Sequence, residues 1–540
     1  HLSDHDLRQL DVERLRALTE AQLRAVAEAL LLDLKAARER LNQTPANSSR
    51  PPSSQAPWER GIEEDTGLED APETDGAEEP GQDRLVADAE TDAPASPAET
   101  EVEPEADTGN SEQPPAKPHP SAAPKKRPGR RPGAPGVSRT QVLPIDEERV
   151  HAPTGCALCG ATELEPSHTD TGRDEIDLVA PASGERGLVL HQTKHLYVES
   201  ICACGHHSRA EPGRCEAEDG WSVELTEWHL VGAGLAAFIA ALWQRQHLSY
   251  ARIQEFLQDW WDLSLSEATL NHCVHEAGRA LDPVVEQSII PALREADLVQ
   301  GDETPWPQHD HARWLWVFTS ATAVCFVIGR RARALITQVL GAAFAGNLMS
   351  DGDQAYRHLH WRLRCWAHIL RKARGLADSL DRQAQAFGNE VLSTLKALMD
   401  AVYAARAGPT PTASIRSAHA ATLNALFNRC RAHADSAHLK TGELARELLL
   451  DWDTFWAVLD DPTRPLTNNE AERALRHGVI ARRIHLGTRT EQGSRAFTLL
   501  ASVVETCRKR SVSPWPYLAE VIRQRRRGLP APPLPEPAGE

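Results

Sequence analysis

Near the start of the chain, apolar residues recur at three- and four-residue intervals. Leu23, Ala27, Leu30, Leu34, Ala37 and Leu41 fall on the a and d positions of a heptad, with Glu20, Arg24, Glu28, Lys35, Arg38 and Glu39 around them. The pattern predicts a helix over residues 11 to 42, either pairing as a coiled coil or packing on the body of the protein. Further on, residues 248–257 predict an amphipathic helix, Trp260-Trp261 the turn, and Ser266 the cap of a second helix through Leu270 and Val274. That layout permits a helix-turn-helix, and it equally permits simple packing helices. In the C-terminal half, short apolar runs at 298–301, 314–319, 323–328, 346–350 and 360–364 have strand character, with helical stretches expected after the fourth and fifth. Three consecutive strands followed by alternating helices and strands predict an α/β domain. After residue 372 the chain reads as helical to about Phe455, and Asp461-Pro462 stops it before another helix.

Length and composition narrow the picture. The chain has 540 residues, room for two or three domains. No run approaches the roughly 18 apolar residues of a membrane span, and His1-Leu2-Ser3-Asp4 does not resemble a signal peptide. A cytoplasmic protein without a membrane partner is expected. The net charge of −18 is at first sight wrong for a DNA binder. It is local: residues 58 to 112 hold 20 Asp and Glu against Arg60 and Arg84, and the rest of the chain has 57 acids and 57 bases. Residues 55 to 120 are rich in Pro, Glu, Asp, Ala and Thr, so disorder is expected there. The sign then flips. Lys125, Lys126, Arg127, Arg130 and Arg131 lie among Gly and Pro, an extended basic arm suited to a phosphate backbone or minor groove.

Two groups of residues carry candidate chemistry. Ten cysteines in a chain with no secretion signal argue against disulfides. Four of them, Cys156 and Cys159 in C-x-x-C and Cys202 and Cys204 in C-x-C, flank strand-like segments and predict a Zn2+ ribbon. His206, His207 or Cys215 could replace one member. The second group is acidic. Asp302 and Asp351 each follow an apolar run, and a third acid sits on a helix far downstream. Acids drawn from such distances suit divalent-metal binding by oxygen ligands, although ordinary surface acids would look the same.

The blocks Asp302-Glu303-Thr304, Asp351-Gly352-Asp353-Gln354-Ala355-Tyr356, Cys365-Trp366-Ala367-His368 and Asn468 to Arg476 occur in one order. In that order they resemble the "DET", "DGxxAY", "CWAH" and "NNxAERALR" blocks of bacterial DDE transposases of the insertion-sequence-66 family. A long leading helix closing in an "NSSxPPS" stretch, a "GRxPGxxPG" basic arm and a zinc-binding segment are also similar to that family. The resemblance implies a multidomain α/β protein with a ribonuclease-H-like catalytic domain. It implies Asp302, Asp351 and Glu472 as catalytic residues and ligands of Mg2+ (or Mn2+), and double-stranded DNA, both transposon ends and target, as partner. Arg473 and Arg476 would touch phosphate or orient their helix.

Helix geometry agrees on the third acid, since Glu470 and Glu472 lie about 200° apart on a helix. Glu472 shares its side with Leu475 and Val479, the inward face. Glu303, adjacent to Asp302 on a strand, should face away from its metal.

The expected division is a coiled-coil-like helix at 1–45, an acidic linker at 46–124, the basic arm at 125–145, a zinc ribbon at 146–215 and a helical DNA-binding region at 216–284. The catalytic domain follows at 285–510 with a helical insertion at about 374–460, then a C-terminal helix and disordered tail at 511–540. A homo-oligomer is expected on DNA, with accessory proteins of the same element as further partners. The alternatives are a catalytically inactive DNA-binding regulator and a ribonuclease-H-like nuclease without strand transfer.

Overall fold

The computed structural model describes residues 12–41, 141, 143–181, 186–210, 230–309, 311–409 and 414–537. The expected acidic linker and all five bases of the arm lie outside them. Apart from Gln141, every described residue falls in one compact unit formed by 1–68 and 143–540.

The leading helix is two helices, α1 (Val12–Ala17) and α2 (Glu20–Leu41). Thr19 makes the break. Its hydroxyl accepts the Gln22 N–H at 3.4 Å, while Gln22 Oε1 accepts the Thr19 N–H at 3.0 Å. This reciprocal cap starts a new helix.

A sheet of four strands follows: β1 (Glu147–His151), β2 (Leu164–Val179), β3 (Val189–Cys202) and β4 (His207–Arg209). Its order is β1-β3-β2, with β4 also on β3. One end joins the main core through Ile176 and Leu178. There Asp177 Oδ1 accepts the Leu235 N–H at 2.7 Å and so caps helix α3 (Ala233–Gln244) from another element. Gly232 sits at this contact because a Cβ would fall 2.3 Å from Asp177 Cγ.

Helices α4 (Tyr250–Trp261) and α5 (Glu267–Val284) form near where the apolar pattern places them, but α4 runs on through Trp260 and Trp261, expected as the turn, to Asp262 at φ 47°; Ser266 accepts the Thr269 N–H as the cap of α5. The expected boundary near residue 285 is not a break. Helix α5 runs through a π turn (Val285–Ile289) into α6 (Ile290–Arg294). Val274, Ala277 and Leu281 share one hydrophobic cluster with the strands that follow. Much of the region expected as a separate DNA-binding module is therefore core. Apolar spacing alone does not say which protein surface a helix packs against.

The second sheet contains β5 (Leu298–Gln308), β6 (His311–Thr319), β7 (Val324–Gly329), β8 (Asn347–Ser350) and β9 (Arg362–Arg364). Its order is β7-β6-β5-β8-β9. The first three are antiparallel, while β8 and β9 run parallel to β5. Alternation along β6 fills both faces: Trp316 and Phe318 enter one cluster, Leu315 and Val317 another. Helix α7 (Arg333–Leu340) follows the third strand rather than the fourth. After β8 there is only a 3-10 turn (Gln354–His358), started by Asp353 Oδ1 accepting the Ala355 N–H at 2.8 Å.

Helices α8 (Trp366–Ala377), α9 (Arg382–Ala407), α10 (Ile415–Ala418), α11 (Ala420–His433), α12 (Leu439–Leu450) and α13 (Trp452–Trp456) come next. They build their own hydrophobic core, from Trp366 to Leu466. The chain then returns to the sheet with α14 (Asn469–His485), α15 (Glu491–Lys509) and α16 (Pro514–Arg526). Helix α14 lays Ala471 and Leu475 on one sheet face, and Gly478 makes room for Leu315, whose Cδ2 would be 2.4 Å from a Cβ. The tail expected to be disordered is packed as far as it is described. Leu534 is buried, and the carbonyls of Pro532 and Pro535 accept from Tyr517 and Arg510. No helix among the described residues is long and apolar enough to cross a membrane.

Strand β7 is a sheet edge whose free backbone groups meet α15. Ser502 Oγ accepts the Phe326 N–H at 2.8 Å, and Thr506 Oγ1 accepts the Val324 N–H at 3.0 Å while donating to the Val324 carbonyl at 3.1 Å. Thr506→Val leaves both buried groups unpaired, so chemical denaturation should show a loss of about 1–3 kcal/mol.

Candidate active site

Two parallel strands deliver the first two acids. Gln300 of β5 is in register with Met349 of β8, so Asp302 and Asp351 stand two residues further along each strand, at neighbouring positions. Glu472 enters from the first turn of α14, whose start is held to β5 by the Glu470 N–H donating to Gln300 Oε1 at 3.2 Å. The three carboxylates feel one another. Burial, then the charges of Asp351, Glu472 and Glu303, hold the Asp302 carboxyl well above the usual range. Burial also raises Glu472, with Arg371 pulling the other way and Asp351 adding to the rise. Glu472 Oε1 lies 3.6 Å from Arg371 Nη2, not against Arg476. Asp351 Oδ1 is turned back on its own loop, where it accepts the N–H groups of Gly352 and, at 2.9 Å, Asp353. The three sets of oxygens do not close to the 4.8 Å mutual spacing reached elsewhere in the molecule.

Glu303 does a different job from Asp302. Its Oε2 accepts the Tyr356 hydroxyl at 2.6 Å and its Oε1 accepts Arg331 Nη2 at 2.6 Å. Arg331 also reaches Asp353 at 2.8 Å and lies over the Trp314 ring. Glu303 therefore ties the loop after β8 to β5. Burial first, and the Asp351 charge second, push it up to about 7 against Tyr356 and Arg331. On the other side of that loop the buried Arg364 pairs with Glu447 at 2.6 Å and with Asp451. Its Nη2 lies 2.1 Å from where a Cβ on Gly352 would be, so any larger residue after Asp351 would have to push the guanidinium off its partners.

The four cysteines of the ribbon converge. Cys156 Sγ lies 3.6 Å from Cys204 Sγ, Cys159 Sγ 3.4 Å from Cys202 Sγ, and all four are within 4.8 Å of one another. A zinc tetrathiolate needs sulfurs about 3.8 Å apart, given a Zn–S bond of about 2.3 Å, so the residues fit the metal. Each pair is followed by a glycine with positive φ, Gly160 at 73° and Gly205 at 81°, which lets the chain turn back beneath the sulfurs. The Cys159 N–H directed at Cys156, with burial opposing it, draws that thiol down to about 6. His207 is occupied with Glu199 at 2.6 Å, and Cys215 lies outside the described residues.

Residues 229–496 match the family model described as "Transposase IS66 family". The chain carries an IS66-family transposase domain. It is 27% identical over 354 residues to the uncharacterized protein y4qI of Sinorhizobium fredii (strain NBRC 101917 / NGR234), covering 58% of this chain and 64% of that protein. It is 35% identical over 75 residues to the uncharacterized protein y4hP of the same strain, 14% of each chain. The chain thus spans less than two thirds of the length of these relatives.

All three acids lie inside the transposase domain, and the four cysteines lie before it. Arg473 and Arg476 are exposed on α14. Lys125, Lys126, Arg127, Arg130 and Arg131 fall outside the described residues. Glu470, by contrast with Glu472, is exposed and pairs with Lys509. Cys365 and His368, which carry no role in the sequence pattern, both stand beside Glu472, and Arg371 one helical turn on is its ion-pair partner. The C-x-x-H spacing was the signal available.

If the ribbon sulfurs hold zinc, the purified protein should contain it, and the thiols of Cys156, Cys159, Cys202 and Cys204 should resist alkylation until a chelator is added. Cys159→Ser should lose one zinc per chain in elemental analysis.

Proposed function

We propose that the protein is a transposase that cuts DNA at the ends of an insertion sequence and joins those ends to target DNA, using a ribonuclease-H-like catalytic domain. The carrying observation is the approach of Asp302, Asp351 and Glu472 from two adjacent parallel strands and one helix, close enough that the charges of the other two add to burial in raising Asp302. The β7-β6-β5-β8-β9 sheet, with an antiparallel start and a parallel finish, supports the fold assignment.

The chemistry exchanges one phosphodiester oxygen for another. Water attacks the phosphodiester at the element's end and releases a 3′-hydroxyl, which then attacks a target phosphodiester. No protein nucleophile is needed. Asp302, Asp351 and Glu472 would hold Mg2+ (or Mn2+), which supplies charge neutralisation on the phosphate and on the attacking and leaving oxygens. Burial first, and the neighbouring carboxylates second, raise Asp302 and Glu472, and a cation placed there would offset that charge. Arg331 and Tyr356 hold Glu303, and through it the Asp351 loop, in place. Arg473 and Arg476, exposed beside Glu472, and the basic arm at 125–131 are assigned to phosphate.

Leu23, Leu30 and Leu34 on α2 are exposed in the single chain, which supports pairing of that helix when two DNA ends are brought together. Truncation before Asn42 should lower the oligomeric state in sedimentation; an unchanged state would make α2 a packing element only.

Cleavage and joining on matched terminal repeats with Mg2+ test the main reading. Glu472→Gln should abolish cutting and spare DNA binding, whereas Glu470→Gln should keep most activity. Cutting by the Glu472 variant at near the wild-type rate would refute the assignment. Binding without cutting by the wild type would mark a regulator, and cutting without joining a nuclease.

A further inference from the structure

Beside the three acids lies a second set of donors with different chemistry. Cys365 follows β9 directly, its N–H donating to the Ser350 carbonyl at 3.0 Å, and it is the N-cap of α8. His368 follows in the first turn of that helix. The Cys365 sulfur, a His368 ring nitrogen and a Glu472 carboxylate oxygen all lie within 4.8 Å of one another. The N–H groups of Asn468 and His368 are both directed at the sulfur. His368 Nδ1 is buried and has no hydrogen-bond partner. Asn468, one helical turn before Glu472, is fully buried, and neither its Oδ1 nor its Nδ2 has one either. Folded proteins rarely leave such atoms orphaned, because their lost hydration is not replaced. Three orphaned atoms in one neighbourhood mark a place where something polar belongs.

The donor types say what. Magnesium takes oxygen ligands and keeps its waters, and has no use for a thiol or an imidazole. Sulfur, nitrogen and carboxylate oxygen together are the ligand set of zinc. Three protein ligands with a fourth place left free are the pattern of a zinc site that exchanges water or substrate. We propose that Cys365, His368 and Glu472 hold one zinc ion, distinct from the ribbon zinc, with an open fourth position for water or a phosphate oxygen. Of the three, His368 also lines a cavity of 660 Å³, together with Asp351, Arg357 and Lys372. On binding, the Cys365 thiol would give its proton to solvent, since zinc takes the thiolate. Glu472 has two oxygens and can face this position and the aspartates at once. The inference rests on the donor geometry alone and stands apart from the strand-transfer reading.

Zinc counted by mass spectrometry in the full chain tests it. Wild type, His368→Gln and Glu472→Gln are each equilibrated with zinc, dialysed and measured, with circular dichroism as the check on folding. The ribbon zinc is common to all three, so wild type should hold one zinc more per chain than either variant. Cobalt substitution should show thiolate-to-metal absorption that Cys365→Ser reduces while the ribbon's share persists. Equal zinc in the three proteins overturns the inference. A Glu472→Gln protein that is dead in cleavage but unchanged in zinc also overturns it, and leaves the magnesium assignment standing.

Discussion

Negative charge held out of water at the ends of β5 and β8 is the constraint that the transposase domain is arranged around. A carboxylate leaving water without a partner is costly, and several sharing one place are costlier still. Each acid here has a distinct compensation. Asp351 takes N–H groups from its own loop, Glu303 takes Tyr356 and Arg331, and Glu472 faces Arg371. Asp302 has least, and its carboxyl is correspondingly held well above the usual range.

The helical block between the second and third acids is wired into the same arrangement. It has its own core, and apolar contact with the sheet is small, made where Ala367 and Ala457 pack on Met349 and Leu363. Arg364 ties the two together. It belongs to β9, yet its partners Glu447 and Asp451 come from the block, and the Phe455 ring lies 4.5 Å beneath its guanidinium. Arg362 and Lys372 add bonds to the same two carboxylates. Because the Arg364 guanidinium occupies the space beside Gly352, a shift of the block is felt at the residue after Asp351. Buried ion pairs of this kind are poor sources of net stability but strict about geometry.

The ribbon reaches the core by a comparable device. Strand β2 passes Ile176 and Leu178 into the main cluster and lends Asp177 as the cap of α3, so the end that carries the four cysteines belongs to an anchored sheet. The caps at Ser266 and Asp177 contrast in how they can be found. Ser266 acts three residues along its own helix, while Asp177 acts on a helix 58 residues away.

That contrast marks what the chain reveals by itself. Apolar spacing, Ser266 and the strand-like runs determined α4, α5 and most strands, because these depend on neighbours within a few residues. The two cysteine pairs stood out by their spacing, and the blocks around Asp302, Asp351 and Glu472 by their resemblance to the insertion-sequence-66 blocks. Helix spacing also put Glu470 and Glu472 on different sides, and the former is exposed on Lys509. Only the tertiary structure decided that α5 is core rather than a separate module, that the tail around Leu534 packs, that Thr19 splits the leading helix, and that His368 and Cys365 stand beside Glu472. A helix shows its apolar face in sequence but not the surface that covers it. A histidine shows its type but not whether its nitrogen will find a partner, since both are settled by residues a hundred positions away that meet only in the folded chain.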